Sequence, residues 1–211
     1  SSYKLALNDV VVFYGIDKLK FETKDDKFSP SKKLLKNNEK NVIYNDDDLI
    51  VVNKKSGIAV QSGTKSYKNL TDIFSSSNIF RNNKPYTVHR LDKDTSGLLI
   101  IAKNRKSAQL LTTLFRIRKI QKKYLAICDG YIDGNFKEWK HKLKKFENNK
   151  IIYEDAITKV KILNSNLNYS YIELKPITGR KHQLRKQSSI CGCPIVGDTK
   201  YSNKKYNKIN L

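Results

Sequence analysis

Apolar residues recur along most of the chain in short runs bounded by turn residues, a pattern typical of strands that lie in a core. Such runs predict strands at 49–53, 58–60, 98–103, 123–127 and 171–174. Thr158, Val160 and Ile162 alternate with lysines, which predicts one more strand with a single buried face. From Val42 onward, the chain is therefore expected to combine strands and helices in one domain.

Helical periodicity is found in three further segments. Helices are predicted at 69–76, 105–117 and 180–190. The second has an apolar face made mainly of leucines, and Asn104 is its natural N-cap. The third has only one clearly apolar residue before its last turn, Leu184, so we infer that packing is not what holds this helix in place.

Two polar stretches interrupt these patterns. Residues 29–41 contain Pro30 and many Lys and Asn with little to bury, so they are predicted to be a linker that follows a separate unit at 1–28. Residues 131–155 are polar and irregular, which predicts a surface insertion. The chain has no Met, even at position 1, which indicates a fragment or a processed chain and allows for a cut at both ends.

The composition indicates a class of binding partner and a cellular compartment. Lys and Arg number 42 against 20 acidic residues, a formal charge of +22. This surplus repels itself unless a polyanion is bound, which favours nucleic acid. An anionic membrane is disfavoured because no apolar run approaches the length of a span and the lysines are dispersed. The three cysteines cannot all pair with one another and no signal peptide is visible, so we expect a cytoplasmic protein.

The most heavily charged loop precedes the strand predicted at 98–103. Asp92 lies in this loop, on a rigid base at the edge of the protein, and that placement suits a catalytic carboxylate. The alternative is that Asp92 or Asp94 only stabilises the turn, as Asp often does.

The helix predicted at 180–190 carries a second set of polar residues. His182 and Arg185 would share one face of this helix, and Lys181 would join Arg185 one turn away. Such a face, after a glycine at the N-terminus, can bind a phosphate. A solvated basic helix without a ligand is the alternative.

No metal or cofactor is expected. Cys191 and Cys193, taken with His89 and His182, match no usual zinc spacing. The acidic run 46–48 directly precedes a strand and is typical of a solvated turn. There is no phosphate-binding loop and no dinucleotide fingerprint.

Three motifs, in order, resemble the RluA-type pseudouridine synthases, which isomerise uridine in ribosomal and transfer RNA. They are "HRLDKDTSGLLIIAKN" at 89–104, "KKYLAICDG" at 122–130 and "PITGRKHQLRKQSSICGCPIVGDTKY" at 176–201. A weaker fourth motif at 44–63 has Lys55 where the family usually has Pro, and Gln187 stands where His is common. The resemblance covers roughly Val42 to Tyr201.

The resemblance implies an α+β fold with a mixed, mostly antiparallel sheet, flanking helices and a central active-site cleft. It assigns residues 42–211 to a catalytic domain, with allowance for truncation at the C-terminus. Residues 1–28 would be the remnant of the small N-terminal RNA-binding domain of the RluC-like branch, which modifies large-subunit ribosomal RNA. The implied partner is ribosomal RNA, with no cofactor, metal or membrane, and we expect a monomer.

The resemblance also implies roles for individual residues. Asp92 corresponds to the catalytic aspartate, Tyr124 to the tyrosine that lies against the target base, and Arg185 to the salt-bridge partner of Asp92, with Arg180 as a second candidate. Arg90 corresponds to the side chain that can fill the helix when the uridine leaves it. The other residues predicted to bind RNA are Lys122, Arg180, Lys181, His182, Gln183 and Lys186.

These roles agree with the physical chemistry of the reaction. A stacked uracil must be flipped out at a cost of a few kcal/mol, and a side chain that fills the gap lowers this cost. An arginine beside Asp92 would offset the desolvation of its carboxylate. The sequence leaves open whether Asp92 attacks the ribose or the base, or removes a ribose proton. The alternatives in function are a catalytically inactive RNA-binding module and a glycosylase that releases uracil.

Overall fold

The computed structural model describes residues 28–62, 68–81, 83–132 and 137–202. Within these ranges the strands are β1 Val42–Asn45, β2 Leu49–Lys54, β3 Tyr86–Thr87, β4 Gly97–Ala102, β5 Tyr124–Asp129, β6 Glu138–Glu147, β7 Lys150–Ser165 and β8 Tyr169–Pro176. The helices are α1 Lys32–Glu39, α2 Leu70–Ser75, α3 Arg105–Arg116 and α4 Gln183–Ile190. No helix in the described ranges is both long and apolar enough to cross a bilayer.

The first sheet has the strand order β1-β2-β4-β3. Its two central strands pair antiparallel from Leu49 opposite Ala102 to Lys54 opposite Gly97. Side chains alternate across a strand, so every second residue of β2 and β4 points into one core, where Phe74 of α2 packs against them. The loop between β3 and β4 therefore starts and ends on strands of the same sheet.

The second sheet has the order β5-β8-β7-β6. Its core contains Trp139, Ile172 and Leu174, all nearly or completely inaccessible to solvent. Tyr124, the first residue of β5, packs against the core clusters of both sheets. The position of this tyrosine defines where the two halves of the domain meet.

The expected α+β class is confirmed, and every pairing between the named strands is antiparallel. The strands form two sheets, each with a core of its own, in place of the single mixed sheet that the resemblance implied. All but one of the predicted strands are present; four lie within two residues of their expected ends, and the alternating stretch 158–162 is the middle of the longer β7. The exception is 58–60, where only Ala59 forms an isolated bridge, to Asn69.

The prediction of an irregular insertion at 131–155 is wrong for most of its length, because β6 and the first part of β7 form a long hairpin there. The turn residues Asn148 and Asn149 have φ of 48° and 59°, left-handed values that Asn tolerates and that two-residue hairpins favour. Trp139 and Leu143 are buried on one face, while lysines fill most positions between and after them. The many lysines hid this alternation in the sequence.

Helix α1 lies inside the segment predicted to be a linker. Ser31 caps it by accepting a hydrogen bond from the Leu34 amide at 3.3 Å, and none of its residues is buried. Ser77 donates to Glu39 at 2.5 Å and ties the end of α1 to the first half of the domain. A helix without an apolar stripe has no periodic signal in the sequence. The domain boundaries remain predictions, and residues 1–27 lie outside the described ranges.

Candidate active site

The loop that carries Asp92 is anchored on both sides of this residue. Leu91 is buried in the first core, whereas the Asp92 side chain keeps about a quarter of its surface exposed. The Thr95 amide donates to the Asp92 carbonyl at 3.2 Å and closes the turn. Gly97, with φ of 120°, then returns the chain to β4 in a conformation that side chains rarely adopt. Asp92 is thus held at a fixed point above the first sheet.

A buried lysine supports this loop from below. Lys54 is 1% exposed, and its ammonium donates to the carbonyls of Lys55, Ile58 and Lys93 at 2.9 to 3.0 Å. Burial lowers the pKa of Lys54 to about 8, although the Asp94 and Asp92 carboxylates oppose this effect. The sequence analysis missed Lys54, since one lysine among 42 basic residues carries no signal.

His89 has a structural position in the same loop. Its Nε2 accepts a hydrogen bond from the Ile100 amide at 2.9 Å, and its ring stacks on Phe115 of α3 with the centroids 4.4 Å apart. Burial, with a smaller contribution from Lys122, lowers the pKa of His89 to about 4. The imidazole is therefore neutral at physiological pH and holds the loop to β4 as a hydrogen-bond acceptor.

This environment predicts acid sensitivity. In the unfolded chain, His89 takes up a proton near its ordinary pKa of 6.5, whereas in the folded protein its pKa is about 4. The free energy of unfolding therefore decreases as the pH falls from 6.5 to about 4. His89→Phe keeps an aromatic ring but does not titrate. Between neutral pH and about pH 5, the parent should lose about 2 kcal/mol more unfolding free energy than the variant in urea titrations. Parallel losses in the two proteins would contradict this assignment.

Helix α4 starts later than predicted and is held by amides rather than by an apolar stripe. Gln187 is fully buried, accepts from the Thr158 hydroxyl at 2.6 Å and donates to the carbonyls of Trp139 and Ala156 at 3.0 Å. The helix does have a buried face that fixes it to the domain, which the search for an apolar stripe could not detect. Glutamines can occupy this buried face because all of their hydrogen bonds are made within the protein.

Gln183 belongs to the same buried face and was predicted to bind RNA. It is 5% exposed, and its side chain bonds to Thr178, to Thr158 and to the backbone at Ile157 and Arg180. It has no surface to offer RNA, which corrects the sequence-based assignment. Its interactions instead fix the start of α4 against β7.

Arg185 joins Asp92 to a second carboxylate that the sequence analysis did not single out. Its Nε and Nη2 donate to Asp198 at 2.7 and 2.8 Å, and its Nη1 reaches Asp92 Oδ2 at 3.3 Å. Asp198 is fully buried, and it also accepts from the backbone amides of Lys200 and Tyr201. Burial disfavours the ionised carboxylate, but the bonds from Arg185 and the backbone outweigh it and lower the pKa of Asp198.

Asp198 is thus the main partner of Arg185. The predicted pairing of Arg185 with Asp92 is present, while the other candidate, Arg180, bonds to Glu154 at 2.7 Å. Because two bonds to Asp198 hold the guanidinium in a bidentate geometry, its third nitrogen is presented to Asp92 in a fixed orientation. The guanidinium that is expected to offset the desolvation of the Asp92 carboxylate is therefore shared between two carboxylates.

His182 precedes α4 in the left-handed conformation, with φ of 54°, so the predicted helical face with Arg185 does not form. The ring nevertheless lies at the site, with Nε2 3.7 Å from Asp92 and Nδ1 2.8 Å from the Tyr201 hydroxyl. Burial lowers the pKa of His182 even though Asp92 opposes this effect. Tyr201 also covers Arg185, with its ring centroid 5.2 Å from the guanidinium carbon.

Tyr124 completes the set from the side of the second sheet. Burial, followed by the charge of Asp92, raises the pKa of its phenol, so the hydroxyl stays protonated at neutral pH. Asp92, Tyr124 and Arg185 come from three separate stretches of sequence and meet where the two cores adjoin. A carboxylate, an aromatic ring and a guanidinium so placed can hold a planar ring and attack, or deprotonate, an adjacent carbon.

The remaining residues predicted to bind RNA differ in exposure. Arg90 and Lys181 are exposed, and neither has an ion pair within the described ranges. Lys122 is half-buried, and this burial is the main reason that its pKa is lowered. Its ammonium lies near Gly179. Lys186 donates to the Lys144 carbonyl at 3.3 Å. In the parts of the chain that the structure describes, no three His, Cys, Asp or Glu residues are grouped as metal ligands.

The family model for RNA pseudouridylate synthase matches residues 48–189, a stretch that includes Asp92, Tyr124 and Arg185. The chain belongs to the RNA pseudouridylate synthase family. Asp198 and Tyr201 lie beyond the end of this match, although the third motif, at 176–201, contains both of them. The pseudouridylate synthase motifs that the sequence resembles are thus the ones that converge on Asp92.

Individual relatives extend this similarity. The "Ribosomal large subunit pseudouridine synthase C" of Rickettsia prowazekii (strain Madrid E) is 41% identical over 174 residues, which are 77% of this chain and 56% of the relative. The protein of the same name from Vibrio vulnificus (strain CMCP6) is 34% identical over 98% of this chain and 67% of its own length. The chain therefore spans little more than half the length of the Rickettsia relative.

A solved structure shares the fold. The structure titled "Human RNA Pseudouridylate Synthase Domain Containing 4" aligns with a TM-score of 0.68 and 28% identity. The alignment covers 82% of this chain and 73% of that chain. The aligned part of this chain is large enough to include both sheets.

Proposed function

We propose that this protein is an RNA pseudouridine synthase that isomerises uridines in large-subunit ribosomal RNA. The observation that carries the proposal is the contact of Arg185 with Asp92 at 3.3 Å beside Tyr124, formed by three motifs of a pseudouridylate synthase family. The names of the relatives from Rickettsia and Vibrio support the choice of ribosomal RNA. A charge of +22 supports RNA as the partner.

In this proposal Asp92 is the catalytic carboxylate. It acts either as a nucleophile that attacks the ribose or the uracil, or as a general base that removes a ribose proton. Tyr124 offers a flat face for the flipped uracil and a protonated hydroxyl that can relay the proton released from C5, accepting it on oxygen as it passes its own proton on. Arg185 is held by Asp198 and keeps Asp92 oriented. The reaction breaks the bond from C1′ to N1 and forms one to C5 within one nucleotide, so neither an electron carrier nor a group donor is required.

The wider setting belongs to the same proposal. RNA would be contacted by Arg90, Lys122 and Lys181, with Lys186 and Arg180 contributing less because their side chains already bond to the protein. We further propose a cytoplasmic monomer and a remnant of an N-terminal RNA-binding domain at 1–28.

Product analysis tests this function. The protein is incubated with transcribed large-subunit ribosomal RNA, and the nucleosides and free bases are separated and identified by mass. We expect pseudouridine at a small number of positions and no free uracil. Binding without any product would support an inactive RNA-binding module, and free uracil with abasic sites would identify a glycosylase. Either result would overturn the proposal.

Arg90 is expected to assist the flipping of the target uridine. It is exposed, and it lies two residues from Asp92, so it can fill the space that the base leaves. Arg90→Ala should slow modification of a uridine in a structured stem-loop much more than that of an unpaired uridine, because only the former must be unstacked. Single-turnover rates on the two RNAs measure this.

Lys93→Ala is the matched control for Arg90→Ala. Lys93 is exposed in the same loop, and its hydrogen bonds from Lys54 and Gly57 are accepted by its backbone carbonyl. The control should reduce the rate of modification of both RNAs by a similar small factor. Equal losses on both RNAs for Arg90→Ala would assign Arg90 to positioning of the substrate or to stability.

A further inference from the structure

A basic groove lies between α3 and β3, on the side of α3 that faces Tyr86 and Thr87, and has a volume of about 570 Å³. Arg105, Thr112 and Arg116 line it from one face of the helix, since they are spaced by seven and four residues. Lys84 lines it from the segment before β3. None of the residues in its wall is acidic.

The three cations of this groove are unneutralised. Lys84, Arg105 and Arg116 are exposed, and none of them forms an ion pair within the described ranges. Lys123 and Lys175 behave differently, because both pair with Glu173 on the second sheet. Three like charges along one groove repel each other unless an anion lies between them. The groove therefore fits an anionic ligand.

The spacing of the charges indicates what kind of anion fits. Arg105 and Arg116 are separated by three turns of α3, about 16 Å along the helix axis. A single phosphate or a mononucleotide cannot contact both ends of such a groove. A chain with regularly repeated negative charges can do so, and a nucleic acid backbone is such a chain.

Two further side chains are suited to RNA. The Thr87 hydroxyl accepts a hydrogen bond from the Gln61 amide, so its own proton is available to a phosphate oxygen. Tyr86 is half-buried in the wall and presents a ring on which a base can stack. Hydroxyl donors, an aromatic ring and cations together favour single-stranded RNA over an acidic protein segment, which would use the cations alone.

The groove lies within reach of the catalytic loop. Thr87, in its wall, is followed five residues later by Asp92, and five extended residues span at most about 18 Å. Arg90 lies between them in the chain and is exposed. An RNA strand whose uridine lies at Asp92 can therefore pass Arg90 and enter the groove within a few nucleotides.

We propose that this groove binds the sugar-phosphate backbone of the RNA strand that flanks the target uridine. The proposal rests on the proposed function, which supplies RNA as the substrate, and adds a binding site outside the catalytic residues. Its consequence is that RNAs with a flanking single strand bind more tightly than a minimal stem-loop does.

The test compares two RNAs and two triple variants. One RNA is a minimal stem-loop with the target uridine, and the other carries the same stem-loop with natural single-stranded flanks on both sides. The groove variant is Lys84→Gln, Arg105→Gln and Arg116→Gln. It should lose at least tenfold in affinity for the flanked RNA, and the slope of log affinity against log salt should fall by about 2, at roughly 0.7 for each phosphate contact. Its affinity for the stem-loop should stay within about twofold.

The control variant is Lys106→Gln, Lys159→Gln and Lys161→Gln. It removes the same charge from exposed positions, and Lys106 stands next to Arg105 on α3 but outside the groove. It should lose much less affinity for the flanked RNA. Equal losses in the two variants, or parental affinity in the groove variant, would overturn the proposal. Pseudouridine formed by the parent on the stem-loop tests the proposed function separately, because that RNA has no single-stranded flank to enter the groove.

Discussion

Asp92→Asn is expected to make pseudouridine formation undetectable. The amide keeps the size of the side chain and most of its hydrogen-bonding capacity, but it has no negative charge and no nucleophilic oxygen. Because Leu91, Lys54 and the turn bond to Thr95 hold the loop, the fold should be unchanged. RNA affinity should stay within about tenfold of the parent, or about 1.4 kcal/mol. Single-turnover assays and filter binding with one ribosomal RNA fragment measure both quantities.

Asp94→Asn is the control for this experiment. Asp94 is exposed in the same loop, and the hydrogen bond that it accepts from the Ser56 hydroxyl, at 2.8 Å, is made by its backbone carbonyl. The variant should keep substantial activity. Near-parental product with Asp92→Asn, or an essential role for Asp94, would refute the assignment of the catalytic carboxylate.

Arg185→Ala should cause the largest loss of stability. The substitution leaves Asp198, which is fully buried, with only backbone amides to balance its charge. Removal of one partner from a buried ion pair costs about 3–5 kcal/mol. Activity should also be lost at temperatures where the variant remains folded, because Asp92 and Tyr201 both lose their contact with the guanidinium. Urea unfolding, followed by activity assays below the unfolding midpoint, separates the two effects.

Lys186→Ala is the neighbouring control for Arg185→Ala. Lys186 is half-buried on the same helix, but it makes one long bond, to the Lys144 carbonyl at 3.3 Å. It should cost less than about 1 kcal/mol, the usual value of an isolated hydrogen bond. Arg185→Lys is a further check, since a lysine cannot bind Asp198 through two nitrogens and contact Asp92 with a third. If Arg185→Lys retained parental stability and activity, the bridge between the two carboxylates would be unimportant.

The same bridge shows where prediction from the sequence was limited. Asp92, Tyr124 and Arg185 lie inside motifs with recognisable neighbours, so the resemblance to a family could name them. Asp198 and Lys54 also lie inside resembling segments, at 176–201 and 44–63, but no role is implied for them, because one carboxylate after a glycine and one lysine among many are ordinary in sequence. Their importance comes from burial, and burial depends on segments that are far apart in the chain.

The error over the β6 and β7 hairpin has a related cause. A strand at the edge of a sheet can carry lysines on its exposed face, so its sequence is as polar as that of a loop. Helix α4 misled in the same way, since Gln183 and Gln187 are buried amides whose partners on β6 and β7 could not be known beforehand. Polar residues in the interior are stable only with those partners, and the partners are set by the tertiary structure.

The sequence by itself determined the position of most buried strands and the large positive charge, and its resemblance to a known family implied the α+β fold and Asp92 as the candidate carboxylate. These properties depend on periodicity, composition and local motifs, which act over a few residues. The tertiary structure alone decided that Arg185 is shared with Asp198, that His182 faces Asp92 outside the helix, and that Lys84, Arg105 and Arg116 line one groove. These depend on distances between remote segments, and only the packing of the two sheets and their helices sets such distances.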